Sequence, residues 1–143
     1  MKKKHEVVIN DDYGGFGLSE AAVLWLEANA QDQKLLYFLK RKREEITKEM
    51  EKEGEVKSFI TGKPYTVGEI MGDTFTYGEG KKLIPRHHPD LVAVVKALKR
   101  KASTSFSKLK VVKIKGNKYR IEGYDGWEHV MEPEDYEFIT IEE

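Results

Sequence analysis

A glycine-rich segment near the start of the chain is the first candidate for binding chemistry. Residues 10–19 read NDDYGGFGLS, between a predicted strand and a predicted helix. The backbone N–H groups of such a loop can face an anion, and the dipole of the following helix adds a favourable potential. The candidate ligand-binding residues of this segment are Tyr13, Gly14, Gly15, Phe16 and Ser19.

A second interpretation of this loop stays open. Its glycine spacing matches neither the dinucleotide fingerprint nor the P-loop, and no Lys-Ser or Lys-Thr pair follows it. Asp11 and Asp12 would repel an anion unless they point away from it. The loop can equally be a tight turn whose Tyr13 and Phe16 fill the core.

The second candidate segment, residues 84–89, reads IPRHHP. Arg86 could grip a phosphate or carboxylate bidentately, and His87 and His88 could change charge near neutral pH. Neighbouring histidines in an extended segment point opposite ways, so they are poor joint metal ligands. The alternative is that His88 caps the following helix and Arg86 pairs with an acid.

The third candidate segment, residues 124–129, reads YDGWEH. The Asp-Gly pair predicts a turn, and Asp125 and Trp127 are candidate ligand-binding residues, with Trp127 as a platform for a base. Asp125, Glu128 and His129 could form a metal cluster, but their spacing is not diagnostic. No nucleophile elbow is present. We therefore assign no catalytic residue, metal or cofactor. The sequence favours a binding protein over an enzyme.

We expect these segments to form one anion site. Gly14, Gly15, Arg86 and His88 should lie together if the helices that begin near Ser19 and Pro89 direct their N-termini at one ligand. Tyr13 or Trp127 would then supply an aromatic face.

Hydrophobic periodicity and breaker residues predict the elements that position these segments. Residues 33–53 carry the strongest helical pattern, which Gly54 ends. Residues 55–83 show no clear pattern. Helices are also predicted over residues 19–29 and 90–102, and strands over 6–10, 109–115, 118–122, 127–131 and 136–141.

Gly116-Asn117 predicts a hairpin that joins the strands at 109–115 and 118–122. In that register Lys113 faces Arg120 and Lys115 faces Lys118, which is unfavourable. Residues 91–121 contain ten Lys or Arg and no acid, whereas residues 132–143 contain six acids and no base. We expect this acidic tail to neutralise the hairpin; the alternative is that a bound ligand anion does so.

These elements predict an α+β fold with a small, mainly antiparallel sheet, C-terminal hairpins, two short packing helices and one longer charged helix. The 143 residues are enough for one domain. A helix over 33–53 would be about 30 Å long, so part of it should pack on another subunit, which predicts a homo-oligomer, or project into solvent.

Composition excludes several classes of protein. The chain has no Cys, which rules out disulfides, Cys-ligated zinc and a thiol nucleophile. It contains no apolar run of membrane-spanning length and no signal-peptide core. Lys and Arg together number 25, as do Asp and Glu. Zero net charge argues against binding long nucleic acid but allows a local anion site. We expect a soluble cytoplasmic protein without a membrane partner.

The combination of motifs resembles a family of small, mostly uncharacterised proteins encoded by bacteriophages and prophages. The shared motifs are YGGFGLS, IPR followed by PDLV, the strand at 109–114, and YDG followed by Glu128. The resemblance covers the two ends of the chain and omits residues 30–80. It therefore implies that the helical segment at residues 31–54 is a lineage-specific insertion. It implies a phage accessory protein that acts in the cytoplasm of the host bacterium, in takeover or counter-defence.

We expect a protein that binds a small phosphate-bearing ligand, most specifically a nucleotide that serves as a host immune signal and is sequestered. The alternative is a protein–protein inhibitor of a host factor that uses the charged helix at 33–53. A third is a small hydrolase that uses His87, His88, Asp90 or Glu128.

Overall fold

The computed structural model describes residues 5–13, 16–54, 57, 62–73, 85–104, 107–124 and 127–133. Within them the chain has the expected α+β fold, with four α-helices and two antiparallel two-stranded sheets. The elements are β1 (His5–Asn10), α1 (Glu20–Asn29), α2 (Gln33–Glu53), α3 (Val67–Asp73), α4 (Pro89–Leu98), a 3-10 turn (Lys99–Ala102), β2 (Leu109–Ile114), β3 (Arg120–Tyr124) and β4 (Trp127–Met131).

The helix ends follow local side-chain chemistry. Ser19 caps α1 by accepting from the N–H of Ala22, as predicted. Asp32 caps α2, and Gly54 ends it at φ 87°, which confirms the predicted bounds of this helix. The helix predicted over 90–102 stops at Leu98, because Lys99 takes a positive φ and a 3-10 turn follows.

The predicted hairpin of residues 109–122 is wrong. β2 pairs with β1, and β3 pairs with β4 in the C-terminal hairpin. Pairing with β1 places Glu6 opposite Lys113 and Val7 opposite Val112. The rejected hairpin would have set Lys113 against a like charge, so cross-strand charge favours the non-local partner.

β1 is the centre of the molecule, because both of its faces are buried. Val8 joins a large hydrophobic cluster formed with the helices. Val7 and Ile9, on the opposite face, join a smaller cluster with Ile114 and the β3–β4 hairpin. Alternation along one strand therefore connects the helical layer to the hairpin.

α2 belongs to the main core through Leu35, Leu39 and Ile46. It packs against α1 and α3. The sequence did not predict α3. None of the helices in the described part of the chain is long and apolar enough to cross a membrane.

Of the six acids in the tail, the structure describes Glu132 alone. Its carboxylate accepts a hydrogen bond from the backbone N–H of Lys115 at 2.8 Å. The strand predicted at 136–141 lies outside the described residues. Neutralisation of the basic residues by the whole tail therefore stays a prediction.

Gly72→Ala is expected to lower the free energy of unfolding by about 1–3 kcal/mol, a typical cost of overpacking. A Cβ at this position of α3 would overlap the carbonyl oxygen of Leu18. Gly116→Ala is the control, since nothing lies within 4 Å of its added Cβ. Urea unfolding of both variants measures the difference, and equal stabilities would contradict the close packing of α3.

Candidate functional site

A buried ion pair between Arg86 and Glu128 lies beside β1. The guanidinium binds the carboxylate bidentately, with Nη1–Oε1 at 2.6 Å and Nη2–Oε2 at 2.8 Å. Arg86 is 7% exposed and Glu128 is 1% exposed. The guanidinium carbon also lies 3.7 Å from the ring centroid of Phe16, which adds a cation–π contact.

The same pair satisfies the edge of β1 that faces away from β2. Val8 donates its N–H to the backbone oxygen of Arg86 at 2.8 Å, and its own carbonyl accepts from Nη1 at 3.3 Å. Asn10 donates its N–H to the carboxylate of Glu128 at 2.8 Å. The two side chains and the backbone oxygen of Arg86 therefore replace a further strand and keep these buried backbone groups paired.

This geometry matches the alternative in which Arg86 pairs with an acid. The fork that could bind a phosphate already holds a carboxylate of the protein itself. Arg86 thus contacts the glycine-rich loop through the ring of Phe16 and stabilises it there. Phe16 is buried, as the tight-turn interpretation of the loop expects, whereas Tyr13 is not.

His88 matches its alternative too, because it caps α4. Its Nδ1 accepts from the N–H of Asp90 at 3.0 Å, which leaves Nε2 to donate to the carboxylate of Asp32 at 2.8 Å. Asp90 accepts in turn from the N–H groups of Gln31 and Asp32. These reciprocal bonds join the N-termini of α2 and α4 and occupy both ring nitrogens of His88.

His87, the exposed neighbour, has a different partner. Its Nδ1 lies 2.7 Å from the hydroxyl of Tyr119, and the two rings meet edge to face. Burial raises the pKa of Tyr119 above its usual value, so its hydroxyl stays protonated near neutral pH. His87 and His88 therefore contact different parts of the molecule.

Tyr13, Trp127 and His129 form a group of rings that we call the aromatic surface. The ring of Tyr13 stands edge-on to Trp127 with centroids 4.7 Å apart, and Trp127 stacks on His129 at 6.0 Å. The indole N–H donates to Asp11 at 2.9 Å, which fixes its orientation. Tyr13 remains 56% exposed.

The two residues that flank the glycine-rich loop, Asp11 and Ser19, bond to the backbone of Lys108 and Lys101. Asp11 donates its N–H to the backbone oxygen of Lys108 at 2.7 Å. At the other end Ser19 bonds to the backbone oxygen of Lys101, and Leu18 forms a bridge with Ser103. These contacts place Lys108 next to Asp11 and the aromatic surface, and they place Lys101 and Ser103 next to the start of α1.

The structure brings together some of the predicted site residues. Phe16 contacts Arg86, and Tyr13 contacts Trp127, whereas the side chains of Arg86 and His88 bind different carboxylates. Gly14, Gly15 and Asp125 lie outside the described residues, so their roles stay predictions. The predicted convergence of the two helix N-termini is wrong, because Ser19 at the start of α1 bonds to Lys101 and Ala102 beyond the end of α4, whereas the start of α4 contacts the start of α2.

The sequence reasoning missed the roles of Glu128 and His129. Alternation along β4 was the available signal, because it places Trp127 and His129 on one face and Glu128 on the other. The same alternation separates the members of the suggested metal cluster. Among the described residues, no group of three His, Asp or Glu side chains is placed to hold a metal ion.

Comparison with known proteins adds no relative. No family model, curated protein or solved structure matches the chain.

Arg86→Met is expected to lower the free energy of unfolding by about 3–5 kcal/mol, because Glu128 becomes a buried carboxylate without its counter-charge. Adding Glu128→Gln should restore part of this loss, since glutamine is neutral and can still accept from Asn10. Arg41→Met breaks an exposed pair with Glu45 and should cost at most about 1 kcal/mol. Urea unfolding measures these free energies. If Arg86→Met lowers the free energy of unfolding no more than Arg41→Met does, the structural role of the Arg86–Glu128 pair is contradicted.

Asp32 should make folding stability depend on acid. The hydrogen bonds from His88 and from the N–H of Lys34 lower the pKa of Asp32 below its ordinary value of 3.8. The folded state therefore favours the ionised carboxylate. Its contribution is complete above the unfolded pKa and is lost as the pH falls through the lowered one.

Asp32→Asn keeps an N-cap but removes this charge, so its stability should fall less steeply below about pH 4 than that of the parent. Glu51→Gln, which removes an exposed carboxylate from the same helix, is the control. Melting temperatures between neutral and strongly acid pH would test this. Parallel acid limbs for Asp32→Asn and the parent would refute it.

Proposed function

We propose that the protein binds a small phosphate-bearing ligand with a planar ring, a nucleotide, at the aromatic surface. The observation that carries the proposal is the exposed ring of Tyr13, held 4.7 Å from Trp127 while Asp11 fixes the indole. Rings that are oriented before binding lose little conformational entropy when a base stacks on them. Stacking on aromatic side chains is the sequence-tolerant way in which proteins hold bases.

Lys108 is the cation that supports the phosphate part of the proposal. Its backbone bonds to Asn10 and Asp11 place it at the end of β1, next to the aromatic surface. The side chain is exposed and makes no ion pair with any residue in the described ranges. Arg86 acts through Phe16 as a positioning residue for the loop in this proposal.

The resemblance to phage-encoded proteins supplies the biological part of the proposal. A binder without turnover that acts in the host cytoplasm would remove a nucleotide signal from circulation. Its effect would then depend on its abundance and affinity. Incubation with a bound nucleotide, followed by recovery of that nucleotide unchanged, distinguishes this role from that of a hydrolase.

The outer face of α2 favours a second candidate function, that of an inhibitor that binds a host protein. The same face could instead bind a second copy of this chain. Tyr37 is 64% exposed, and the guanidinium of Arg41 lies 5.8 Å from its ring centroid. Aromatic and arginine side chains are frequent anchors of interfaces. Light scattering of the protein and of Tyr37→Glu tests the second-copy version, which requires a dimeric mass that the variant loses.

Tyr13→Ala is expected to weaken nucleotide binding by about 1–3 kcal/mol, the usual value of one stacked base. Tyr13→Phe keeps the ring and should bind like the parent. Tyr37→Ala is the matched control, because it removes an exposed tyrosine from a different surface. Quenching of Trp127 fluorescence in a Trp25→Phe background measures the affinity.

Two results would contradict the nucleotide proposal. One is equal affinity in Tyr13→Ala and Tyr37→Ala. The other is the absence of any response of Trp127 to a panel of nucleotides, with Tyr37→Ala and the parent still folded in a thermal melt.

A further inference from the structure

We propose that the aromatic surface continues into a phosphate-binding track along Lys99–Ala102 and Lys108, so that the ligand it fits is a short single-stranded oligonucleotide. This inference rests on the proposed function and narrows its ligand class. A mononucleotide would use only the rings and Lys108. An oligonucleotide would also use the exposed cations beyond them.

The track is defined by four exposed cations, Lys99, Arg100, Lys101 and Lys108. None of them makes an ion pair within the described residues. Single-stranded nucleic acid is typically held by this combination of a positive track with stacking rings.

Backbone contacts place Lys108 next to Asp11, which binds the indole of Trp127, and place Ala102 next to Ser19 at the start of α1. The N–H of Ser19 donates to the carbonyl of Ala102 at 2.9 Å, and the N–H of Asp11 donates to that of Lys108 at 2.7 Å. Between these points the chain from Ala102 to Lys108 can span at most about 22 Å. This bound keeps the two groups of cations within reach of one short oligonucleotide.

The acidic side chains of the facing segment have other contacts. Asp11 accepts from the indole of Trp127, and Asp12 accepts from the N–H of Tyr13. Glu20 lies against Gly68 of α3. Among the described residues, none of these three acids forms an ion pair with the four cations, so direct contacts do not neutralise the track.

The backbone at Lys99 has an unusual conformation for a residue other than glycine. Its φ of 52° and ψ of −120° lie in a region that favours glycine, yet the position carries a lysine. Residues held in such conformations cluster at functional sites. Here the strained turn ends α4 and presents three consecutive basic residues to solvent.

The test is fluorescence anisotropy of the whole protein with fluorescein-labelled hexathymidylate, alongside thymidine monophosphate and a blunt DNA hairpin as competitors. At low salt we expect hexathymidylate to bind at least tenfold more tightly than the mononucleotide and more tightly than the hairpin. Its affinity should fall linearly on a log–log plot against salt, because phosphates release counterions on binding.

The decisive variant is Lys99→Gln/Arg100→Gln/Lys101→Gln. We expect it to weaken hexathymidylate at least tenfold, to flatten the salt slope by about 2 for three lost contacts at about 0.7 each, and to leave mononucleotide binding unchanged. Lys40→Gln/Lys48→Gln/Lys52→Gln makes the same change of charge on α2 and should bind like the parent.

The outcomes separate this inference from the proposed function. Equal affinity for hexathymidylate and the mononucleotide, or equal effects of the two triple variants, overturns the track and leaves the nucleotide site standing. Hairpin binding as tight as hexathymidylate binding overturns the single-stranded specificity. Failure of every probe to bind the folded parent overturns both.

Discussion

The guanidinium of Arg86 and the carboxylate of Glu128 meet at the edge of β1 that β2 leaves open. That edge lies between two hydrophobic clusters, so water cannot satisfy its backbone groups. The pair supplies a donor to Val8 and an acceptor to Asn10. A buried ion pair alone is weak evidence for stability, because desolvation opposes the attraction. Here the pair stabilises the fold by satisfying the backbone groups of β1. It also joins the loop before α4 to β4.

This constraint decides where ligand chemistry can occur. Arg86 has the strongest binding group for phosphate, but its fork is filled, and Phe16 covers its face. His88 is similarly occupied at both ring nitrogens. What remains exposed at this end of the molecule is a set of rings with Tyr13 at its edge, and a run of lysine and arginine side chains. The proposed ligand binding therefore rests on surface groups, and the buried polar network lies beneath them.

The helices α1, α2 and α4 could be predicted, unlike α3, because their determinants are local. Ser19, Asp32 and Gly54 act within one turn of their own helix ends, and hydrophobic spacing along the same segment does the rest. The strands could also be located, but not their partners. A turn signal at Gly116 favoured a local hairpin, whereas the paired valines of β1 and β2 and the Glu6–Lys113 pair favoured a partner a hundred residues away.

For the site, the sequence by itself determined which residue types are present and which segments carry them, including the alternation that separates Trp127 from Glu128. It also excluded thiol and Cys-metal chemistry, because the chain has no cysteine. Only the tertiary structure decided that Arg86 serves Glu128 and that Tyr13 lies against Trp127. Both contacts join residues far apart in the chain, so they depend on a proximity in three dimensions that no local pattern encodes.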